Sequence, residues 1–195
     1  MRRAGKLIII IGILLILVSF GFMLYWHISS VRAELDVSDT LIKLKELLPP
    51  ESIGNPEEFF SMEMPVLELD GRDIIGLLSI PQTDTELPVA ADWNKRTLIA
   101  LPQRFSGSTY DSSLIIGGYD QKGQFDCLKK LDIGNEIFVT DMTGAKFSYT
   151  VSDIQRKRSA SYEVLSDPAS DLTLFVRDDG SADYIIVRCI RQIFE

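Results

Sequence analysis

Residues 7–26, from Leu7 to Trp26, form an apolar run broken only by glycines and Ser19. As a helix these 20 residues extend roughly 30 Å, the depth of a bilayer's hydrocarbon core. A helix also satisfies its own backbone polar groups, which lipid cannot do. A cleaved secretory signal is the competing reading. Its apolar core would be shorter and a small-x-small cleavage site would follow it, yet Phe22, Met23, Tyr25 and Trp26 stand there. The run is therefore expected to be an uncleaved, single-pass transmembrane signal anchor.

Flanking charge sets the expected orientation. Arg2, Arg3 and Lys6 precede the span, and basic flanks stay cytoplasmic. Residues 1–6 read as a cytoplasmic basic tail, and Tyr25 and Trp26 close the far, interfacial end. Everything beyond is expected outside the cell membrane. That outer part is more acidic than the whole-chain net charge of −8 implies. Setting aside the three tail cations leaves 17 basic against 28 acidic side chains, a net −11. Such a surface argues against nucleic acid and against docking on anionic lipid, and otherwise reads as a solvated exterior.

Cys127 and Cys189 are too few for a disulfide framework. Outside the cell they could pair; two buried free thiols are the simpler expectation.

Residues 27–64 read as a stalk. Val37, Leu41, Leu44 and Leu48 repeat at heptad spacing on a short amphipathic helix that Pro49-Pro50 must end. The stripe suits either self-association near the membrane or a helix folded back on its own domain. Glu51 to Met64 is acidic, interrupted by Pro56 and without periodicity, which suggests a flexible tether. From Pro65 onward the pattern becomes β-rich, with runs at Ile74–Ile80, Glu86–Ala90, Ser113–Ile116, Glu136–Asp141, Lys146–Asp153, Leu172–Val176 and Tyr184–Ile190. Met142 to Ala145 reads as a hairpin turn, and Phe125 to Leu131 as a short helix with Phe125, Leu128 and Leu131 on one side. Many short strands with few helices imply a mainly β sandwich or barrel over residues 65–195.

The order of these segments resembles the sortases, the transpeptidases that attach proteins to the Gram-positive cell wall. Ile75-Gly76-Leu77-Leu78-Ser79-Ile80-Pro81 followed by Leu87-Pro88-Val89 is similar to the family's opening strands. Arg104 to Ser108 ahead of Leu114-Ile115-Ile116-Gly117-Gly118 resembles the approach to the catalytic histidine. Phe125, Leu128 and Leu131, then Ile133-Gly134-Asn135, are similar to a family helix and turn, and Asp171 to Phe175 to the strand that ends in the catalytic cysteine. The resemblance implies a sortase-like eight-stranded β-barrel with short helices, behind one N-terminal transmembrane helix.

It also implies a changed site. Where the family has histidine after the fourth-strand glycine, this chain has Tyr119; where it has cysteine, Arg177; and where it has arginine, Tyr184, or Asp183 if the register slips by one. Arg188 matches a second, non-catalytic basic residue. A phenol is a poor acid–base group near neutral pH, and a guanidinium has no usable lone pair. The single histidine of the chain is His27, at the membrane edge. Neither Cys127 nor Cys189 follows the strand that should present the nucleophile. Tyr119, Arg177 and Tyr184 are expected either to form a groove-binding patch or to plug a disused groove.

The resulting expectation is a membrane-anchored, non-catalytic module that binds or regulates a surface protein, a pilin or an active sortase. The alternative is a divergent cysteine transpeptidase or hydrolase acting on sorting signals. Asp178-Asp179 with Asp183 reads as a solvated acidic loop rather than a calcium site. No phosphate-binding glycine loop or zinc spacing occurs, so no cofactor and no metal are expected.

Overall fold

The alternation of Phe147, Tyr149 and Val151 with Ser148, Thr150 and Ser152 is realised in a computed structural model as one long strand, residues Ala145–Lys157. Its three large side chains are at most 1% exposed and form part of the main core. The structure describes residues 2–54, 59, 62–94, 98 and 100–192, with the backbone alone for residues 2–11 and 24–36.

In chain order the elements are helix α1 (Arg2–Leu47), strands β1 (Ser52–Ile53), β2 (Leu67–Leu69), β3 (Arg72–Ile80), β4 (Thr85–Ala90), β5 (Gln103–Ser106), β6 (Leu114–Gly118), β7 (Glu136–Asp141) and β8 (Ala145–Lys157), then helix α2 (Tyr162–Leu165) and strands β9 (Leu172–Arg177) and β10 (Tyr184–Arg191). Hydrogen bonding runs β3-β4-β5-β6-β9-β10-β8-β7 and returns to β3. Eight strands thus close a barrel, with β1 and β2 added outside it on β8 and β3. Closure leaves no free edge among those eight, and their alternate side chains fill the interior. The β4–β5 and β6–β9 pairs are parallel and the other ring pairs antiparallel.

The segment expected as a helix over 125–131 is instead 3-10 helical, Phe125–Lys130. Phe125 and Leu128 still face the core, at 0% and 1% exposure. The turn between β7 and β8 has Gly144 at φ +84°, with its N–H donating to the Asp141 carbonyl. A three-residue hairpin loop needs this left-handed residue, and glycine adopts it without steric cost.

The chain divides into two compact units, residues 1–36 and 37–195. The first is helical, and its described apolar side chains from Ile13 to Met23 are exposed. Among the described residues no helix is long and apolar enough to cross a membrane. The expected span at 7–26 lies partly outside them, since the side chains of 7–11 and 24–26 are not described.

In the second unit the heptad positions fold back on the barrel. Val37 and Leu44 are 6% and 0% exposed, with Leu41 and Leu48 packed on the same core. Lys43 and Lys45 pair with Asp70 and Glu86 alongside. The segment expected as a tether also engages the barrel: β1 pairs with β8, Phe59 stacks on Tyr110 at 4.7 Å between ring centres, and Met64 is buried. Residues 55–58, 60 and 61 lie outside the described residues.

Candidate functional site

Strand parity decides which side chains leave the barrel. On β9, Leu172, Leu174 and Val176 belong to the interior core, whereas Phe175 belongs to a second, outer cluster. Arg177, the last residue of β9, continues the outward set and is exposed. On β10, Ile185 and Val187 point inward, and Ile186 outward with Tyr184 packed beside it. On β6, Leu114 and Ile116 point inward and Ile115 outward, so Gly117 and Tyr119 fall on the outer face.

Register brings the three outward residues to one end of the barrel. Tyr184 lies directly opposite Arg177, and Tyr119 follows the Gly118–Val176 pair, one step from Arg177 on the other side. Tyr184, rather than Asp183, is therefore the partner of Arg177. The Tyr119 backbone is fixed: Gln124 accepts its N–H, and its carbonyl accepts the N–H groups of Gln121 and Phe125. Tyr119 and Tyr184 are half-buried.

Beyond these ends the outer face is partly covered, with an opening of about 340 Å³ left between Ile115, Leu165 and Asp167. Phe105, Phe175 and Trp93 pack edge-on or tilted, with ring centres 5.1–5.6 Å apart. A Cβ on Gly117 would stand 2.6 Å from both the Trp93 and the Phe175 rings, so the indole rests where that side chain is missing. From the opposite side α2 brings Leu165, which is 0% exposed. Arg188 fastens this cover: it donates to the Val164 carbonyl at 2.8 Å and pairs with Asp167 at 3.3 Å. Sequence reasoning missed Trp93 and α2, and the one signal for them was the pair of glycines in β6.

An ionic network lies immediately after the strand ends. Asp178 pairs with Arg156 at 2.7 Å and Lys129 at 3.2 Å, while Lys129 also holds Asp120. The Asp179 N–H donates to Asp120, and the Gly180 N–H to Asp178, both at 3.0 Å. The Arg156 hydrogen bond foremost, then the Gly180 N–H and Lys129, hold the Asp178 carboxyl well below the usual range. Lys129 is held above its ordinary value, chiefly by its hydrogen bond to Asp120. The loop expected to be solvated thus has one carboxylate, Asp178, fully engaged by cations. No group of acidic, histidine or cysteine side chains with metal-binding geometry occurs among the described residues.

The two thiols lie elsewhere. Cys127 and Cys189 are unpaired, 3% and 0% exposed, and both belong to the interior core. Burial, and for Cys127 the nearby Asp126 charge, push them up from 9.0 to about 11 and about 12. A buried neutral thiol is a poor nucleophile. Native protein at pH 8 is expected to leave a colorimetric disulfide reagent unreacted, and protein in denaturant to consume two equivalents. The unfolded chain ionises these thiols first, so their support of the fold is complete below pH 9.0 and lost as pH rises toward 11–12. Native reactivity comparable to that in denaturant would contradict the burial.

Neither protein-family models nor curated protein sequences match this chain. Solved structures do. Sortase A from Corynebacterium diphtheriae, as a lid mutant, is 24% identical over 64% of this chain and 73% of its own, with a TM-score of 0.56. Sortase C1 from Streptococcus agalactiae is 20% identical over 72% and 76%, also at 0.56. A Clostridium perfringens sortase D5 transpeptidase is 20% identical over 62% and 80%, at 0.53. At these identities the likeness shows the fold, and that fold is the sortase β-barrel.

Proposed function

We propose that this chain is a sortase-family protein that has lost the cysteine, histidine and arginine of its relatives' chemistry and serves as a non-catalytic binding or regulatory module. In this reading residues 7–26 anchor it in the cell membrane, residues 1–6 stay cytoplasmic, and the barrel faces outward to a surface protein, a pilin or an active sortase. The observation that carries it is the content of three adjacent strand ends: Tyr119, Arg177 and Tyr184, with no thiol and no imidazole among them. Thiolate attack on a carbonyl needs a nucleophile beside a base, and a donor for the oxyanion. Arg177 supplies only a donor. Both thiols are on the barrel interior, and the one histidine is His27, outside the described side chains.

Fold alone does not establish activity, so the test is chemical. The full chain in detergent is incubated with a panel of sorting-signal peptides and an amine acceptor, then examined by intact-mass spectrometry and peptide chromatography. No cleavage and no thioester are expected. A covalent adduct on Cys127 or Cys189 would sink the reading and point to a divergent transpeptidase.

A further inference from the structure

The outer face beside Tyr119, Arg177 and Tyr184 is already occupied by the chain itself. Its floor residues Ile115, Phe175 and Ile186 are 3%, 5% and 0% exposed, beneath Trp93 on one side and α2 on the other. An extended peptide has no floor to lie on while the indole sits over Gly117. At the end of the groove Arg177 is exposed between two half-buried phenols, while a separate opening of about 340 Å³ lies between Ile115, Leu165 and Asp167 on the same face.

The charges around that end are arranged unevenly. Asp120 and Asp178 are engaged by Lys129, Arg156 and the Asp179 and Gly180 N–H groups. The Arg177 guanidinium has no hydrogen-bond or ion-pair partner among the described residues. Of the carboxylates around this guanidinium, Asp120 and Asp178 are engaged by other cations. An unpaired planar fork suits one carboxylate held bidentately, and a ring on either side can cover such a pair. Asp179 and Asp183, in the turn that follows Arg177, repel a polyanion but tolerate a single compact charge.

We infer that this rim binds one terminal carboxylate end-on, as the C-terminus of a protein presents it. Arg177 is the fork and Tyr119 and Tyr184 are the walls, while Trp93 denies the groove to an extended chain. The inference rests on the binding-module reading and names the ligand class of that same site.

The test uses the full chain in detergent and calorimetric titration with three probes: an N-acetylated alanine–serine hexapeptide with a free C-terminus, its C-terminal amide, and sodium acetate. The free acid is expected to bind, and amidation to weaken it about tenfold or more, the usual size of losing a hydrogen bond to a charged group. R177Q should abolish the difference between acid and amide, and R177K should lose most of it. Both should unfold at the wild-type temperature, because Arg177 is exposed and unpaired. W93A should keep free-acid binding and gain affinity for the amide. Equal binding of acid and amide, or unchanged binding by R177Q, overturns the inference. Acetate competing as well as the hexapeptide overturns the chain-terminus part and leaves a small-carboxylate site. Inorganic polyphosphate is expected not to compete, and competition would overturn the single-charge argument. A thioester with a sorting peptide would defeat the non-catalytic reading without touching the acid–amide comparison, so the two can fail separately.

Discussion

Gly118→Ala is expected to destabilise the barrel substantially. Gly118 is on the interior side of β6, and a Cβ there would stand 2.3 Å from Cγ and Cδ2 of Phe125 and 2.9 Å from its Cβ. These atoms are near the root of the side chain, so a rotamer change cannot clear them. Phe125 is 0% exposed and opens the 3-10 helix, which leaves the backbone little room to retreat. Forcing one methyl into a filled core costs about 1–3 kcal/mol, and more where the obstacle cannot move. Against a typical total of roughly 5–15 kcal/mol, that lowers the urea midpoint sharply or leaves no cooperative transition. Gly118→Ala combined with Phe125→Leu should regain part of the loss, which separates a steric clash from general strand weakening. A Gly118→Ala midpoint equal to wild type would show that the ring packs elsewhere. Gly117→Ala offers the contrast: its Cβ meets only the far edges of the Trp93 and Phe175 rings on the outer face.

Asp141→Ala is the second substitution with a large expected effect. Asp141 ends β7 and is 0% exposed, yet it carries a carboxylate. One oxygen accepts from the Thr143 N–H at 2.8 Å, the Thr143 hydroxyl at 2.6 Å and the Ala145 N–H at 3.0 Å. The other accepts from the Tyr110 hydroxyl at 2.6 Å. Burial first, then this hydrogen bond, raise the Tyr110 phenol far above its ordinary value, so it stays a donor at any physiological pH. Alanine would take the acceptor from four donors, of which the Tyr110 hydroxyl and the Ala145 N–H are buried, and release the Tyr110 ring that Phe59 stacks on. Leaving a buried donor unpaired costs about 1–3 kcal/mol for each. Asp141→Asn should cost less than alanine, since the amide oxygen can still accept in the turn and its NH2 can donate to the Tyr110 oxygen, with only the charge lost. Tyr110→Phe removes one bond and should cost about 1–2 kcal/mol by the same chemical denaturation. Equal midpoints for Asp141→Ala and Tyr110→Phe would show that the turn contributes nothing beyond the phenol contact.

Legibility in the sequence followed the range of the interaction. Glu136–Asp141 was readable to the residue, because Ile137-Phe138-Val139 is a short run of β-favouring residues and the turn chemistry follows at once. Tyr119, Arg177 and Tyr184 came from the sortase resemblance rather than from any periodicity, and strand register sets them at three adjacent strand ends. β5 escaped notice: Gln103–Ser106 is four residues with little alternation, made a strand only by its neighbours β4 and β6. β1 is two residues drawn onto β8. Trp93 reaches the outer face by a tertiary path that no periodicity describes, and the Asp120–Lys129–Asp178–Arg156 network joins four separate stretches of chain. The helix at Phe125 was legible as a helix but not as to type, because its apolar spacing of three residues suits both kinds.

The ring of eight strands is not equally sewn all round. β4 and β5 meet through a single residue pair, Ala90 with Gln103, and the connection between them is the stretch that carries Trp93. Local opening of a fold starts where the fewest bonds must break. The seam of the barrel and the attachment of Trp93 therefore coincide, so a fluctuation that parts β4 from β5 acts on the residues that set the indole over Gly117. Breathing of the scaffold and uncovering of the groove become one motion rather than two.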